Sequence, residues 1–387
     1  MSRLGLKVRV IDKVSAASTQ SKALGVQAGT LECLAQVFGE DLPQQMIDAG
    51  VKVQQLHLNI ENRSSLAVDL SLIPSRYDFL LTLAQSETER ILEKKLNSFS
   101  VQVERSTELL ESKDQGASVL SRVRRADGTM EEVVSDFVLG CDGAHSVVRH
   151  ELNIPFEGSA YVGNFILAGV KVQWSLPKDQ VQIFMGGKGV AAAFPLREEN
   201  RFRFILVRKT EVPSDTLDVS LEELKEGLAL LCPLSIQITE SFWMSRFRVS
   251  HRRAESFQKG RLFLVGDAAH IHSPVGGQGM NTGIQDAVNL SYKIAEVVSK
   301  GADLSLLKKY GEEREPVAKS LLFVTDQATR LMVLGQYPWL QKLVFWFLPS
   351  LGQSRWLQKR LALGISQVQI ARREIKNRQN GEWLADQ

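Results

Sequence analysis

The segment GDAAHIHSPVGGQGMNTGIQDAVNL, residues 266–290, constrains the fold of this chain more than any other feature. It comes after RLFLV, an apolar run typical of a buried strand, and its last residues have the period of an amphipathic helix. A glycine-rich turn between a strand and a helix lets ligand atoms approach the backbone. The helix N-terminus adds free N–H groups and the positive end of a dipole. The segment therefore predicts an α/β domain that holds a nucleotide-type ligand at this turn.

Individual residues of the segment support this interpretation. The carboxylate of Asp267 comes directly after the strand, where it can accept hydrogen bonds from a sugar-like hydroxyl, and Pro274 stiffens the loop. We expect Gly277 and Gly279 to lie flat beneath a planar ligand. The alternative is a tight turn with incidental glycines, but the acid, the proline and Asn281 at fixed offsets argue against it. The helix is predicted to pack on a sheet through Ile284, Ala287, Val288, Ser291, Ile294, Ala295 and Val298.

Composition excludes several classes of protein. The chain has 387 residues, enough for two or three domains, and its net charge of +3 is too balanced for a nucleic-acid partner. Three widely spaced cysteines without a CxxC pair, Cys33, Cys141 and Cys232, argue against a disulfide framework or a metal site and fit the reducing cytoplasm. The first residues lack the apolar region of a signal peptide, and no apolar run reaches the roughly 18 residues of a membrane span.

The order of strand and helix signals predicts a discontinuous architecture. Strand and helix patterns alternate over residues 1–155 and return over 255–330, whereas residues 156–254 consist mainly of short strands. We predict one α/β domain from the two outer segments, interrupted by a mostly β substrate domain to which residues 51–75 add strands. Residues 331–387 are predicted to be a helical C-terminal region. Two helices are predicted over residues 76–98 and 220–231, the second with a capping box formed by Ser220 and Glu223.

The segment from Gly260 to Ala295 resembles the second FAD motif of the para-hydroxybenzoate hydroxylase-like flavoprotein monooxygenases. The resemblance implies a Rossmann-like FAD-binding domain. It also implies that Asp267, after Gly266, hydrogen-bonds the ribityl chain of FAD. The loop and the helix start would hold the pyrimidine edge of the isoalloxazine ring, through Pro274, Gly277, Gly279, Met280 and Asn281.

Three further stretches resemble the same family. DFVLGCDGAHSVVRHELNI, residues 136–154, matches the motif D-G-x-x-S-x-V-R. This match implies that Asp142, Gly143, Ser146 and Arg149 lie near the FAD pyrophosphate and the approach of the nicotinamide cofactor. The alternative is a type I turn with a surface arginine. Lys22 stands where the family has a basic residue that contacts FAD, usually arginine, and Gln85 matches a glutamine that reaches the cofactor.

One departure from the family concerns the first residues. The family opens with a strand and G-x-G-x-x-G, whose glycines admit the FAD pyrophosphate to a helix N-terminus, and this pattern is absent here. SRLGLKVRVIDK resembles the family's next segment, which consists of a last helical turn, Gly5 as its C-cap, and a strand ending in Asp12, the acid expected to bind the adenosine ribose. The sequence therefore predicts that about 20–25 residues are missing and that the chain binds FAD poorly.

The resemblance implies hydroxylation of an aromatic, phenolic small molecule. NAD(P)H would reduce FAD, oxygen would form a flavin C4a-hydroperoxide, and its distal oxygen would pass to the substrate ring. The substrate cavity would lie between the isoalloxazine and the strands of residues 156–254. Phe184, Phe194 and Phe204 are candidates to face it, although aromatic strand residues more often belong to the core. His270 is a candidate base, but its place in the motif favours a packing role, so no catalytic proton carrier is predicted.

Two other functions stay open at this point. A related flavoprotein would reduce or epoxidise an isoprenoid or lipid, and residues 331–360, apolar with basic residues near their end, would then suit a helix lying on a membrane. The preferred interpretation of that region is a pair of helices covering the substrate domain. The third hypothesis is a truncated, non-catalytic relative of the enzymes.

Overall fold

A computed structural model describes residues 1–18, 23–60, 65–161, 163–208, 218–333, 335, 337–351 and 354–379. The described strands are β1 (Val10–Ile11), β2 (Gly25–Val26), β3 (Val51–Val53), β4 (Gln55–Ile60), β5 (Leu66–Asp69), β6 (Leu80–Thr82), β7 (Val103–Glu104), β8 (Glu108–Asp114), β9 (Val119–Arg124), β10 (Met130–Ser135), β11 (Val138–Gly140), β12 (Phe156–Ala160), β13 (Asn164–Gln173), β14 (Val181–Gly186), β15 (Gly189–Pro195), β16 (Arg201–Arg208), β17 (Gln237–Phe247), β18 (Ser250–Ala254), β19 (Gln258–Lys259), β20 (Leu262–Leu264) and β21 (His270–Ile271).

The described helices concentrate at the two ends of the chain. They are α1 (Ala28–Phe38), α2 (Asp41–Ala49), α3 (Gln85–Asn97), α4 (Val147–Glu151), α5 (Leu221–Leu231), α6 (Gly279–Lys300), α7 (Lys308–Ala328), α8 (Pro338–Leu351), α9 (Arg355–Ser366) and α10 (Val368–Gln379). None of these helices is both long and apolar enough to cross a membrane. The predicted mixed α/β class with a helical C-terminal region is confirmed.

A seven-stranded sheet forms the central β layer, in the order β17-β13-β16-β15-β14-β4-β5. Strands β13 to β17 come from residues 164–247, while β4 and β5 come from residues 55–69 and join through the parallel pair β4–β14. One face of the sheet packs against α5 in an apolar cluster that includes Phe184 and Phe204. Both rings are therefore core residues on the α5 side. The domain boundaries at 155/156 and 254/255 stay a prediction.

The α/β part contains two pairs of parallel strands. β1 pairs with β7, and β11 pairs with β20, each within its own small sheet. Phe263 and Leu264 of β20 are fully buried beneath α6 and α7, where Tyr310 donates its hydroxyl hydrogen to the Leu264 carbonyl at 2.7 Å. The segments after β11 and β20 lie at the same sheet edge, because the carboxyl ends of parallel strands point the same way.

The helix predicted over residues 76–98 is wrong in its first half. Residues 80–82 form β6, which pairs with β2 and β3, and helix α3 begins at Gln85. Leu80, Leu81 and Thr82 are all buried, so both faces of the strand are covered. A short apolar run that is buried on both faces shows neither helical nor strand periodicity. Residues 80–82 were therefore assigned to a helix only because they precede α3.

The predicted capping box at the start of α5 forms only in part. Ser220 accepts a hydrogen bond from the Glu223 N–H at 3.1 Å, as expected of an N-cap. The Glu223 carboxylate instead pairs with Arg246 of β17 at 2.8 Å and accepts from Asn164 of β13 at 3.1 Å. The Glu223 side chain therefore bonds to a charged residue of the sheet and not to the N-terminus of α5.

The packing face of α6 differs from the predicted apolar face. Val288, Ile294 and Ala295 are buried as expected, but Val298 is exposed. The helix also buries polar and charged side chains, which are Asn281, Thr282, Gln285, Asp286, Asn289 and Lys293. Partners from other elements explain this burial: for example, Glu313 of α7 pairs with Lys293 at 2.7 Å.

Candidate cofactor-binding site

The residues after β11 and β20 form one edge of the candidate site. Asp142 and Gly143 come after β11, Gly266 and Asp267 come after β20, and the side chains of both aspartates are exposed. Gly266 has a φ of +60° and lies against Gly283 of α6, whose added Cβ would stand 3.3 Å from the Gly266 Cα. This close approach of two glycines brings the turn and the helix together at the sheet edge.

The loop after β11 is built around a buried arginine. Asp142 accepts hydrogen bonds from the Val147 and Val148 N–H groups at 2.7 and 3.3 Å, and Ser146 caps α4 by accepting from the Arg149 N–H at 3.0 Å. The Arg149 guanidinium donates to the carbonyls of Ala144 at 2.8 Å and Ala268 at 2.9 Å. Arg149 thus links the two turns at the sheet edge, and its predicted role near the pyrophosphate stays a prediction.

The glycine-rich loop before α6 presents bare backbone to solvent. Gly276 and Gly277 have φ angles of +84° and +64°, and both are exposed together with Pro274. The Gly277 N–H donates to the Pro274 carbonyl at 2.9 Å, which closes a tight turn. The N-cap residue of α6, Gln278, makes no side-chain capping hydrogen bond. The site therefore offers a flat glycine surface beside the positive end of a 22-residue helix.

Asn281 joins this loop to the first part of the chain. Its side chain is fully buried and accepts from the Gln27 N–H at 2.8 Å, while its amide donates to the carbonyls of Gly25 and Gly277, both at 2.8 Å. Gln27 reaches back and donates to the Gly276 carbonyl at 3.0 Å. Sequence reasoning missed Gln27, which directly follows β2. Its partner Asn281 comes 254 residues later in the chain, and no local pattern links two positions so far apart.

The other predicted cofactor residues lie around this core. Asp12, at the end of β1, pairs with Arg105 at 2.9 Å and accepts from the Val14 N–H. Gln85, at the start of α3, accepts from the Ala23 N–H at 3.0 Å and donates to Glu89. Lys22 lies outside the described residues. The cofactor contacts of all three residues stay predictions.

A buried charge cluster lies behind the loop. His270 and Arg314 contact the two carboxylate oxygens of Asp286, at 2.7 and 2.5 Å, and Arg314 also pairs with Glu374 of α10. All four side chains are buried. Burial raises the pKa of Asp286, but the charges of Arg314 and His270 outweigh it and hold the pKa well below its usual value. His270, the candidate base of the sequence motif, is a member of this cluster.

His272 packs beside this cluster in the neutral form. Its ring stacks on that of His270 with centroids 6.0 Å apart, and its side chain is buried. Burial, and next the nearby His270, lower the pKa of His272 from 6.5 to about 4. The unfolded chain therefore binds a proton below about pH 6.5 that the native state does not accept until about pH 4. We expect the free energy of unfolding to fall as the pH drops through this window.

Urea unfolding at pH 7, 6, 5 and 4 measures this effect. The His272→Gln variant should lose less stability between pH 7 and pH 4 than the wild type. His150→Gln, which changes an exposed histidine, should retain the wild-type slope. An identical slope for His272→Gln and the wild type would contradict the assignment.

A cavity of about 400 Å³ lies away from this site. It is lined by polar and charged side chains of the β3–β5 region and its neighbours, including Lys52, Asp69, Arg76, Asp78 and Asp179. None of the predicted cofactor residues lines it. Among the described residues, no group of three or more His, Cys, Asp or Glu side chains is arranged to hold a metal ion.

The glycine surface, the helix start and the sheet edge together define a dinucleotide-type binding domain. Residues 1–325 match the family described as the FAD binding domain, and the chain belongs to that family. The predicted fold class, an α/β FAD-binding domain interrupted by a mostly β region, is thereby confirmed, as is FAD as the family's cofactor.

Curated relatives carry the names of monooxygenases. The chain is 34% identical to an uncharacterised aromatic compound monooxygenase of Bacillus subtilis, over 86% of this chain and 65% of the relative. It is also 34% identical to pentachlorophenol 4-monooxygenase of Sphingobium chlorophenolicum, over 83% of this chain and 59% of that protein. The chain thus spans about three fifths of the length of these relatives.

Solved structures show the same architecture. The anhydrotetracycline hydroxylase of Streptomyces rimosus aligns with a TM-score of 0.75 at 28% identity, over 94% of this chain and 72% of that one. The p-nitrophenol 4-monooxygenase of Pseudomonas putida aligns with a TM-score of 0.81 at 20% identity, over 95% and 94% of the two chains, which shows a shared fold.

The residues present fit FAD. Gly276 and Gly277 are exposed and adopt left-handed φ angles, so they offer a planar ring bare backbone that other residues would rarely provide. The start of α6, with the positive end of its dipole, suits the electron-rich edge of such a ring, and Asp267 is exposed at the adjacent sheet edge.

Proposed function

We propose that this chain is the FAD-binding part of a monooxygenase that hydroxylates an aromatic small molecule with NAD(P)H and oxygen. The observation that carries the proposal is an apolar cluster beside the cofactor loop. Val275 of that loop packs against a buried group from the sheet and α8, which comprises Ile60, Phe165, Met185, Val190, Val207, Val249 and Phe345. A substrate held beside Val275 would meet the partly buried apolar side chains that pack on the same group, which are Leu58, Ile183, Phe247 and Val344, as an aromatic ring requires.

The chain's own residues would bind and orient the cofactor and exclude water. FAD, when bound, would take electrons from NAD(P)H and use oxygen to hydroxylate the substrate ring. Asp267 would hold the ribityl chain, and Pro274, Gly277, Gly279, Met280 and Asn281 would hold the pyrimidine edge. The start of α6 would stabilise negative charge there, since its N–H groups and dipole are fixed before the reaction.

The names of the relatives support an aromatic substrate. Pentachlorophenol and anhydrotetracycline, which two of those names contain, both have hydroxylated aromatic rings. Three free cysteines support a reducing, cytoplasmic location. Because the chain covers about three fifths of its curated relatives, activity and substrate are proposed for the protein to which this sequence belongs.

A panel of phenols and prenyl compounds, assayed in air and without oxygen, tests the proposal. We expect a phenol to accelerate NAD(P)H and oxygen consumption and to yield a hydroxylated product. A product formed in full yield without oxygen would favour a reductase acting on an isoprenoid or lipid. A chain that retains no flavin would favour the non-catalytic relative.

Asp267→Ala, made in the protein to which this sequence belongs, tests the cofactor site directly. A lost hydrogen bond to a charged group weakens binding by roughly 1.5–3 kcal/mol, so we expect the dissociation constant for FAD to rise at least tenfold. Flavin fluorescence titration measures it. The matched control is Asp48→Ala, an exposed carboxylate on α2. Equal affinity in both variants would show that the motif has been assigned wrongly.

A further inference from the structure

A single buried residue connects α9 to α10. Helix α9 ends at Ser366, α10 begins at Val368, and Gln367 between them has a φ of +55° and a ψ of +11°, the left-handed conformation. Only 3% of Gln367 is exposed. A glutamine is strained in this region of backbone space, so its presence in the interior requires compensating contacts.

Those contacts all go to the start of α6. The Gln367 amide nitrogen donates to the side-chain oxygen of Gln278 and to Thr282 Oγ1 at 3.1 Å. Its oxygen accepts from Gln285 Nε2 at 2.8 Å. Gln278 in turn donates to the Ile365 carbonyl at 3.2 Å and to the Gly276 carbonyl at 3.2 Å. The α9–α10 turn and the start of α6 therefore each donate hydrogen bonds to the other, and Gln278 extends this network to the glycine-rich loop.

Helix α1 also packs against this connection. A Cβ added to Gly29 would stand 2.5 Å from the Gln367 carbonyl oxygen and 3.0 Å from the Val368 nitrogen. The backbone of α1 therefore lies directly against the α9–α10 turn, which limits how far the turn can move away from α6. Arg372 adds an ion pair to Glu32 of α1 at 2.7 Å.

We propose that Gln367 is a positioning residue for the cofactor loop, residues 274–281. It fixes Gln278, which precedes Gly279, and so holds the first turn of α6 in the conformation that receives the flavin. This inference rests on the proposed function of the loop. It gives the C-terminal helices α9 and α10 a role in cofactor binding. Helices that only covered the domain by apolar packing would not have this role.

Hydrogen exchange and flavin titration of the full chain test the proposal. Gln367→Ala removes the side chain, and Gln367→Gly removes it while favouring the left-handed backbone, so the turn itself is preserved. Gln369→Ala is the matched control, because Gln369 lies exposed in the first turn of α10. We expect both Gln367 variants to speed exchange of amides 276–282 in the flavin-free protein about tenfold or more, and to weaken FAD binding by a similar factor. The melting temperature of Gln367→Gly should fall less than that of Gln367→Ala, because glycine adopts the left-handed backbone without strain.

Every combination of exchange rate and flavin affinity either supports or overturns the positioning role of Gln367. Faster loop exchange together with weaker flavin binding in both Gln367 variants supports the proposal. Loop exchange equal to that of Gln369→Ala would overturn it. Faster exchange with unchanged flavin affinity would also overturn it, and the Asp267→Ala titration then shows whether the loop assignment is at fault as well. If Asp267→Ala weakens binding while the Gln367 variants do not, the proposed function stands and the positioning role fails.

Discussion

Replacing Arg314 with methionine is expected to lower the free energy of unfolding by about 3–5 kcal/mol, because removal of one member of a buried ion pair leaves uncompensated charge. Arg314 is 1% exposed and lies between Asp286 and Glu374, whose carboxylates are buried with it. Methionine fills much of the same volume, so the loss would come from charge rather than from a cavity. Urea denaturation at pH 7 measures it.

The pH dependence distinguishes charge from packing in this variant. In the wild type the pKa of Asp286 is lower in the folded than in the unfolded protein. The ionised carboxylate therefore stabilises the fold at pH values above its unfolded-state pKa. This stabilisation is lost as the pH falls through its folded-state pKa. Without Arg314 that depression becomes smaller, since only His270 remains beside Asp286, and protonation of the carboxylate relieves part of the lost pairing. The stability difference between variant and wild type should therefore be largest at neutral pH and shrink below pH 4. Lys319→Met, an exposed cation on α7, is the control, and a difference that is constant with pH would contradict the electrostatic cause.

Replacing Asn281 with aspartate or alanine is expected to lower the free energy of unfolding by about 3 kcal/mol and to weaken flavin binding. Alanine removes three hydrogen bonds and leaves the Gln27 N–H and the carbonyls of Gly25 and Gly277 to find other partners. Aspartate keeps the shape and the bond from Gln27, but its second oxygen would face the two carbonyls. Each lost or repulsive contact costs about 1–3 kcal/mol.

The matched control for this position is Asn97, an exposed asparagine at the end of α3. Asn97→Ala and Asn97→Asp should change neither quantity by more than about 0.5 kcal/mol. If Asn281→Asp were as stable as the wild type, the two carbonyl contacts would carry no energy. If it were destabilised but bound FAD normally, Asn281 would hold the fold without shaping the cofactor loop.

The strand, the loop and the helix that position the candidate site could be predicted from local sequence patterns. The strand before Gly266, the glycine loop and the helix after it have strong local signals, and the structure adds that the helix begins at Gly279. The strand at residues 80–82 was missed because an apolar run of three residues has no measurable period. The polar face of α6 was missed for another reason. A pattern of apolar spacing assumes that charged residues face water, and here Asp286 and Lys293 are buried against partners from other helices.

The sequence by itself therefore determined the class of domain and the family, and it predicts the segment that carries the cofactor site, because a backbone that must approach a ligand needs glycine at particular local positions. Only the tertiary structure decided which residues hold that segment in place. Gln27, Arg314 and Gln367 reach the loop helix from parts of the chain 28 to 254 residues distant. Their roles depend on hydrogen bonds and ion pairs whose partners are brought together by folding, and such pairings leave no period or motif in a single chain.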